Sequence, residues 1–306
     1  MTFNEMEAGM RRRLLRTVLL FLVTTMALSC NSGARATRVP SRNTSAIILD
    51  LDGTALDDSG LVRSATVSAL QLYKKRGGQV GIATGRGLQQ AEPAIGQIQP
   101  TLPTILMNGC ALLSAGAKQP QVVAALDEET WSYFRKLDRK EPRIWGVVYY
   151  FKIAAIPDRD SLSFAAVARA IHLVPAYRLS VSDISADSLV KIVVVADSAY
   201  LSPLSQELSE KLSNARVVAS TPITLEIMPK SVTKLGAIAR VAREKGITLE
   251  EIVAIGDGLN DLEMIKGVGF GVAMSNGHPL VKEAADLVIG ANTTDAIAKF
   301  IYSLLN

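Results

Sequence analysis

Ala46-Ile47-Ile48-Leu49-Asp50-Leu51-Asp52-Gly53-Thr54 opens with four apolar residues and then delivers two carboxylates, a glycine and a hydroxyl. The apolar run has no alternation, which predicts a strand buried on both faces, as in a parallel sheet. Asp50 and Asp52 are two apart, and on an extended backbone such residues point the same way. Both carboxylates can reach one spot just past the strand's C-terminal end, where open α/β sheets bind ligands. Gly53 lets the chain turn away sharply.

The same pattern recurs downstream. Residues 80–83 predict a second buried strand, which delivers Thr84-Gly85-Arg86, and 104–107 a third, ending at Asn108-Gly109. A helix is expected over 61–76, where apolar residues at 62, 65, 69, 70 and 73 keep helical spacing, and another over 87–97. Basic residues 74–76 and Gly77-Gly78 suit the end of the first helix. From 110 to about 229 the texture changes. Longer, more mixed strands (144–152, 189–196, 224–228) alternate with helices near 128–138, 162–171 and 201–213, which reads as an α/β insert with an open sheet of its own.

The core resumes with a helix over 232–245 and a strand over 252–255 that leads into Gly256-Asp257-Gly258-Leu259-Asn260-Asp261. Strands at 268–273 and 287–289 and a helix over 295–304 close it. Core strands separated by helices imply an α/β fold, a doubly wound, Rossmann-like parallel sheet with right-handed crossovers. The expected organisation is a leader over 1–45, a core over 46–109 and 230–306, and an inserted α/β cap over 110–229.

Asp50, Asp52, Asp257 and Asp261 come from two strand ends that a parallel sheet can place side by side. Two like charges ~4 Å apart repel by about 4 kcal/mol at an effective dielectric of 20. Such a cluster stays ionised only around a cation. All-oxygen ligands with a phosphate substrate favour Mg²⁺. With two His and no Cys-x-x-Cys, a dedicated zinc site is not expected.

Four stretches in order resemble the motifs of the haloacid dehalogenase-like superfamily in its phosphatase form. They are Asp50-Leu51-Asp52-Gly53-Thr54, Thr84-Gly85-Arg86, Lys230-Ser231-Val232-Thr233-Lys234, and Gly256 to Asp261 followed by Met264. The resemblance spans about residues 46 to 304. The insert resembles the type-II, subclass-B cap of the Cof-like sugar-phosphate phosphatases. Asn108-Gly109 matches the turn by which such cores enter the cap.

The resemblance implies roles. Asp50 matches the nucleophile that becomes an aspartyl phosphate. Asp52 matches the general acid and base, and its presence points to phosphate esters. Asp50's carboxylate, Asp52's backbone carbonyl and Asp257 match the protein ligands of Mg²⁺, and Asp261 a further ligand or an orienter of metal-bound water. Thr84, Gly85, Lys234 and Asn260 match the phosphate-binding groups, and Arg86 can add charge there. The reading is a Mg²⁺-dependent phosphatase of small phosphorylated metabolites such as sugar phosphates. Trp145, Tyr149 and Tyr150, on one insert strand, are candidates for contacting the substrate.

The leader carries its own signals. Residues 1–45 hold seven arginines against Glu5 and Glu7, a net +5 of the chain's +4, so the remainder sums to −1 and gives no argument for nucleic-acid binding. Arg11-Arg12-Arg13 and Arg16 precede an apolar run over 17–28, too short for a membrane span of ~20 residues. Small residues Ala27 and Ser29 before Cys30 suit signal-peptidase or lipoprotein processing. The acid-free stretch 31–45 also suits a transit peptide. Export or organelle targeting is expected, with membrane association only through the leader or a lipid on Cys30. Cys110 reads as a small core residue. Asn43 and Asn292 head Asn-x-Thr/Ser tripeptides.

Two other functions fit the same core: a phosphomutase, and a non-catalytic ligand-binding envelope protein. The latter should lack Asp50, Asp52 or Lys234, and all three are present.

Overall fold

The computed structural model describes residues 44–140, 145–150, 154–156, 177–178, 189–196, 198–221 and 224–306. The leader, with Cys30 and Asn43, and the helix expected near 162–171 lie outside the described residues. Along the chain come β1 (Ala46–Leu49), β2 (Gln79–Ile82), β3 (Thr104–Leu106), β4 (Ala111–Leu113) and β5 (Gln121–Val122). β6 (Trp145–Tyr150), β7 (Ala154–Ile156), β8 (Tyr177–Arg178), β9 (Leu189–Val195), β10 (Ala215–Thr221) and β11 (Thr224–Pro229) follow. The chain closes with β12 (Ile252–Gly256), β13 (Phe270–Met274) and β14 (Leu287–Ile289).

The central sheet has five parallel strands in the order β14-β13-β12-β1-β2. β1 is flanked by β2 on one side and β12 on the other, so the strand order reverses at β1, the place where open sheets bind ligands. The pairing of Leu49 with Ile255 sets the ends of β1 and β12 level, and the N–H of Asp50 donates to the carbonyl of Ile255 at 2.9 Å.

Both faces of the sheet are covered, which is why the strand residues do not alternate. Ile47 and Leu49 pack with Ala69, Leu70 and Tyr73 of the helix Ser64–Lys75 and with Ile297 and Ile301 of the helix Ala296–Leu305. Ala46 and Ile48 pack on the other face with Ile238 and Val241 of the helix Lys234–Lys245 and with Met264 and Val281. Each such fully buried aliphatic side chain contributes about 1.5–3 kcal/mol over leaving it in water.

β3 departs from the expected third core strand. It touches the central sheet through one parallel bridge, Ala83 to Ile105, and otherwise pairs antiparallel with β4 in a small sheet with β5. The cause is local: Met107, Asn108 and Gly109 all have positive φ and fold the chain back on itself.

The insert carries a six-stranded sheet in the order β10-β11-β9-β6-β7-β8, antiparallel except between β7 and β8. Helices Glu128–Lys140 and Ser198–Lys211 cover one face through Trp131, Phe134, Leu204 and Leu208 against Ile192, Val194, Leu225 and Ile227. β10 and the short β7 and β8 were not expected from the sequence. Cys110 is buried, its thiol pushed up to about 12 by burial, as suits a core residue. Among the described residues no helix is long and apolar enough to cross a membrane.

Candidate active site

The turn after β1 is held by N–H groups of Ala55 and Leu56, which donate to the carbonyls of Asp50 and Leu51. Gly53 has φ +71°, and a Cβ there would lie 2.3 Å from Oδ2 of Asp257. Only glycine lets this turn press against the Asp257 carboxylate of the fourth motif. Two residues that the sequence did not point to as part of the site brace the turn. Asn276 donates to the carbonyl of Gly53 at 2.8 Å, and Asn292 donates to the carbonyl of Leu56 at 2.9 Å. The amide nitrogen of Asn292 is thus spent inside the fold, on a contact 236 residues away in sequence.

Lys234, the first residue of its helix, is buried at the centre of the site. Its ammonium lies 2.5 Å from Oδ1 of Asp50 and 2.6 Å from Oδ1 of Asp261. The three are 1%, 5% and 0% exposed, so both ion pairs are effectively dry. Burial opposes the charge on Lys234, but Asp261 and Asp50 beside it outweigh that and hold its pKa above the usual lysine range. The other oxygen of Asp261 accepts the N–H groups of Asp257 and Gly258, each at 2.9 Å. Asp261 therefore fixes both the lysine and the loop after β12. Asp257 accepts from the Thr54 hydroxyl at 2.7 Å.

Oxygens of Asp50, Asp257 and Asp261 all lie within 4.8 Å of one another. Three carboxylates against one ammonium leave a formal charge of −2 in a largely buried space. Burial, with the Asp261 charge, raises Asp50 well above the carboxylate range, even against Lys234. Burial also raises Asp257 to about 6 despite the Thr54 hydrogen bond. A hard divalent cation removes this conflict, so the donor set fits one.

Asp52 stands apart from that cluster. Its exposed carboxylate is gripped by Arg86, whose Nη2 and Nε approach to 2.6 and 2.9 Å. Thr84 is fully buried, with its hydroxyl accepting the N–H of Arg86 at 3.1 Å. Asn260 donates to Oδ1 of Asn108 at 3.0 Å. Among the expected substrate-contacting residues, Tyr149 pairs opposite Lys191 and Tyr150 opposite Leu189 on the insert sheet.

The family described as haloacid dehalogenase-like hydrolase matches residues 47–301. The chain belongs to the haloacid dehalogenase-like hydrolases. The 5-amino-6-(5-phospho-D-ribitylamino)uracil phosphatase YcsE of Bacillus subtilis is 27% identical over 260 residues, 83% of this chain and 93% of its own length. The pyridoxal phosphate phosphatase YbhA of Escherichia coli is 27% identical over 276 residues, 86% of this chain and 99% of its own. A solved subclass IIB sugar phosphatase of the superfamily has a TM-score of 0.71 at 22% identity, covering 85% of this chain and 98% of that one. At that identity the likeness is one of fold, and it reaches across core and insert together. This haloacid dehalogenase-like chain is accordingly an enzyme of the phosphatase type.

Lys234→Met removes the shared cation and leaves Asp50 and Asp261 facing each other without it. Breaking a buried pair in this way costs about 3–5 kcal/mol. Denaturant unfolding of the metal-free chain at neutral pH should show a loss of that size, and a loss under ~1 kcal/mol would mean the pair is not dry in solution.

Proposed function

We propose that the chain is a Mg²⁺-dependent phosphatase of small phosphorylated metabolites that works through an aspartyl phosphate on Asp50. The observation that carries this reading is the convergence of Asp50, Asp257 and Asp261 around the buried Lys234 at the ends of β1 and β12. Asp50 and Asp257, with the backbone carbonyl of Asp52 and the charge of Asp261, would hold the Mg²⁺. When bound, the ion supplies the positive charge that offsets these carboxylates and the phosphoryl oxygens.

An Asp50 carboxylate oxygen attacks phosphorus, and the bond from phosphorus to the ester oxygen breaks. Asp52, released from Arg86 and protonated from solvent, gives that proton to the ester oxygen. It then takes a proton from the water that attacks the phosphoenzyme, which frees inorganic phosphate and restores both aspartates. Lys234 holds the nucleophile and neutralises the phosphoryl charge, while Thr84, the backbone at Gly85 and Asn260 hold its oxygens.

We take residues 46–109 and 230–306 as the catalytic core and 110–229 as the cap, which closes over a small substrate. Residues 1–45 we take as a targeting leader. YcsE and YbhA are named for unlike phosphates, so the relatives support the phosphate ester and not one leaving group. The test is phosphate release by the purified chain from p-nitrophenyl phosphate, sugar phosphates, pyridoxal phosphate and flavin mononucleotide, before and after exhaustive chelation. Release that chelation abolishes and Mg²⁺ restores is expected. Release that survives chelation undiminished would remove the metal from the account.

A further inference from the structure

Asn108 is where four parts of the site meet. It is buried at the end of β3 with φ +56°, between Met107 at +52° and Gly109 at +111°. Consecutive left-handed residues are costly for side chains other than the short polar ones, so the surrounding fold must hold this turn in place. The N–H of Asn108 donates to the carbonyl of Thr84 at 2.9 Å. Its Oδ1 accepts from Nδ2 of Asn260 at 3.0 Å. Its amide lies over Gly85, where a Cβ would come within 3.3 Å of Oδ1 and 3.4 Å of Nδ2. A Cβ on the next residue, Gly109, would come 2.7 Å from the carbonyl of Thr233, just before Lys234. Asn108 thus touches or adjoins each of the phosphate-binding residues proposed above.

Its remaining hydrogen-bonding group is weakly matched. Nδ2 donates to the thioether sulfur of Met228 on β11, 3.4 Å away in the buried space between insert and core. A thioether is a weak acceptor. Buried amide donors ordinarily find an oxygen. A donor so held exchanges readily for a better acceptor, and the neighbours of this one are the groups that would surround a phosphate.

We infer that Asn108 is a substrate-positioning residue. Its Nδ2 hydrogen leaves the sulfur of Met228 and bonds an oxygen of the bound phosphate ester, while its Oδ1 keeps Asn260 aimed at the same group. Because Met228 belongs to the insert, the exchange also links substrate binding to the cap. The inference rests on the phosphatase reading.

The experiment compares the full-length parent with Asn108→Asp and Met228→Leu, using p-nitrophenyl phosphate as substrate and inorganic phosphate as inhibitor. Aspartate keeps the size, the tolerance of positive φ and the acceptor for Asn260, and it replaces the donor with an anionic oxygen. KM and the phosphate inhibition constant should rise about tenfold or more, the scale of a lost hydrogen bond to a charged group. The fall in kcat should be smaller, and the melting temperature should stay near the parent's. Met228→Leu keeps the volume and removes the sulfur, so KM should be unchanged or lower. A purely structural Asn108 would lower the melting temperature of Asn108→Asp and leave both constants unmoved, which overturns the inference. If Asn108→Asp does not fold, Met228→Gln decides. Its amide oxygen grips the Asn108 donor more firmly and should raise KM several-fold, and an unchanged KM overturns the inference. A parent that hydrolyses no phosphate ester overturns the phosphatase reading and this inference with it. An active parent whose variants behave like it overturns the assignment of Asn108 alone.

Discussion

Asp50→Asn is expected to bring turnover down to background while leaving the fold intact. The amide cannot attack phosphorus, so no phosphoenzyme forms and no slower covalent route replaces it. The variant also loses a carboxylate from the cation site, and Mg²⁺ should bind more weakly. The energetics of the fold point the other way. Asp50 is raised well above the carboxylate range by burial and by Asp261. A raised folded-state pKa means that the contribution of this group to stability is present below its unfolded value and lost as pH rises through the folded one. At neutral pH without metal, above its unfolded value, Asp50 has therefore lost part of that contribution, and Lys234 retains Asp261 as its partner in the variant. The metal-free melting temperature at pH 7 should be no lower than the parent's. A variant that turns over substrate, or that is inactive only because it unfolds, would count against Asp50 as the nucleophile.

Asp52→Asn should fail differently. It keeps the proposed nucleophile and the backbone carbonyl proposed to hold Mg²⁺, and it loses the proposed proton donor. General acid catalysis is worth ~10²–10⁴-fold, so kcat on an alkyl phosphate should fall by that much. The loss should shrink on p-nitrophenyl phosphate, whose leaving group needs no proton. The phosphoenzyme should linger, because the water that attacks it has lost its base. The neutral side chain also no longer pairs ionically with Arg86, which now bonds Asp52 at 2.6 Å. Equal defects of the two variants on both substrates would show that these roles are wrongly assigned.

Much of this site could be read before any fold was known, for a physical reason. β1 and β12 are buried on both faces, so their apolar runs are unbroken, and each run ends in the carboxylates that matter. The helix Ser64–Lys75 shows a clean stripe and a Gly77-Gly78 stop, and its ends fell within a few residues of expectation. What stayed hidden depends on contacts between distant segments. Nothing near Asp52 announces that its carboxylate rests on Arg86, 34 residues on. Nothing near Asp261 shows that one oxygen serves Lys234 and the other two backbone N–H groups. Asn276 and Asn292 brace the turn after Asp52 from loops more than 200 residues away. The Asn108-Gly109 pair was visible as a turn, and its three successive positive φ values were not, because the neighbour Met107 has no preference for that region. β10 escaped because its apolar residues do not alternate cleanly, and β7 and β8 because they are only three and two residues long.

The most direct test of the central claim is to trap the covalent intermediate. Asp52→Asn, mixed with Mg²⁺ and p-nitrophenyl phosphate and quenched in acid during turnover, is digested and its peptides are weighed by mass spectrometry. A phosphoryl group is expected on the peptide that carries Asp50, on that side chain, and none in Asp50→Asn treated alike. An unmodified Asp50 peptide from an enzyme still releasing p-nitrophenol, or a phosphoryl group on another residue, would contradict it.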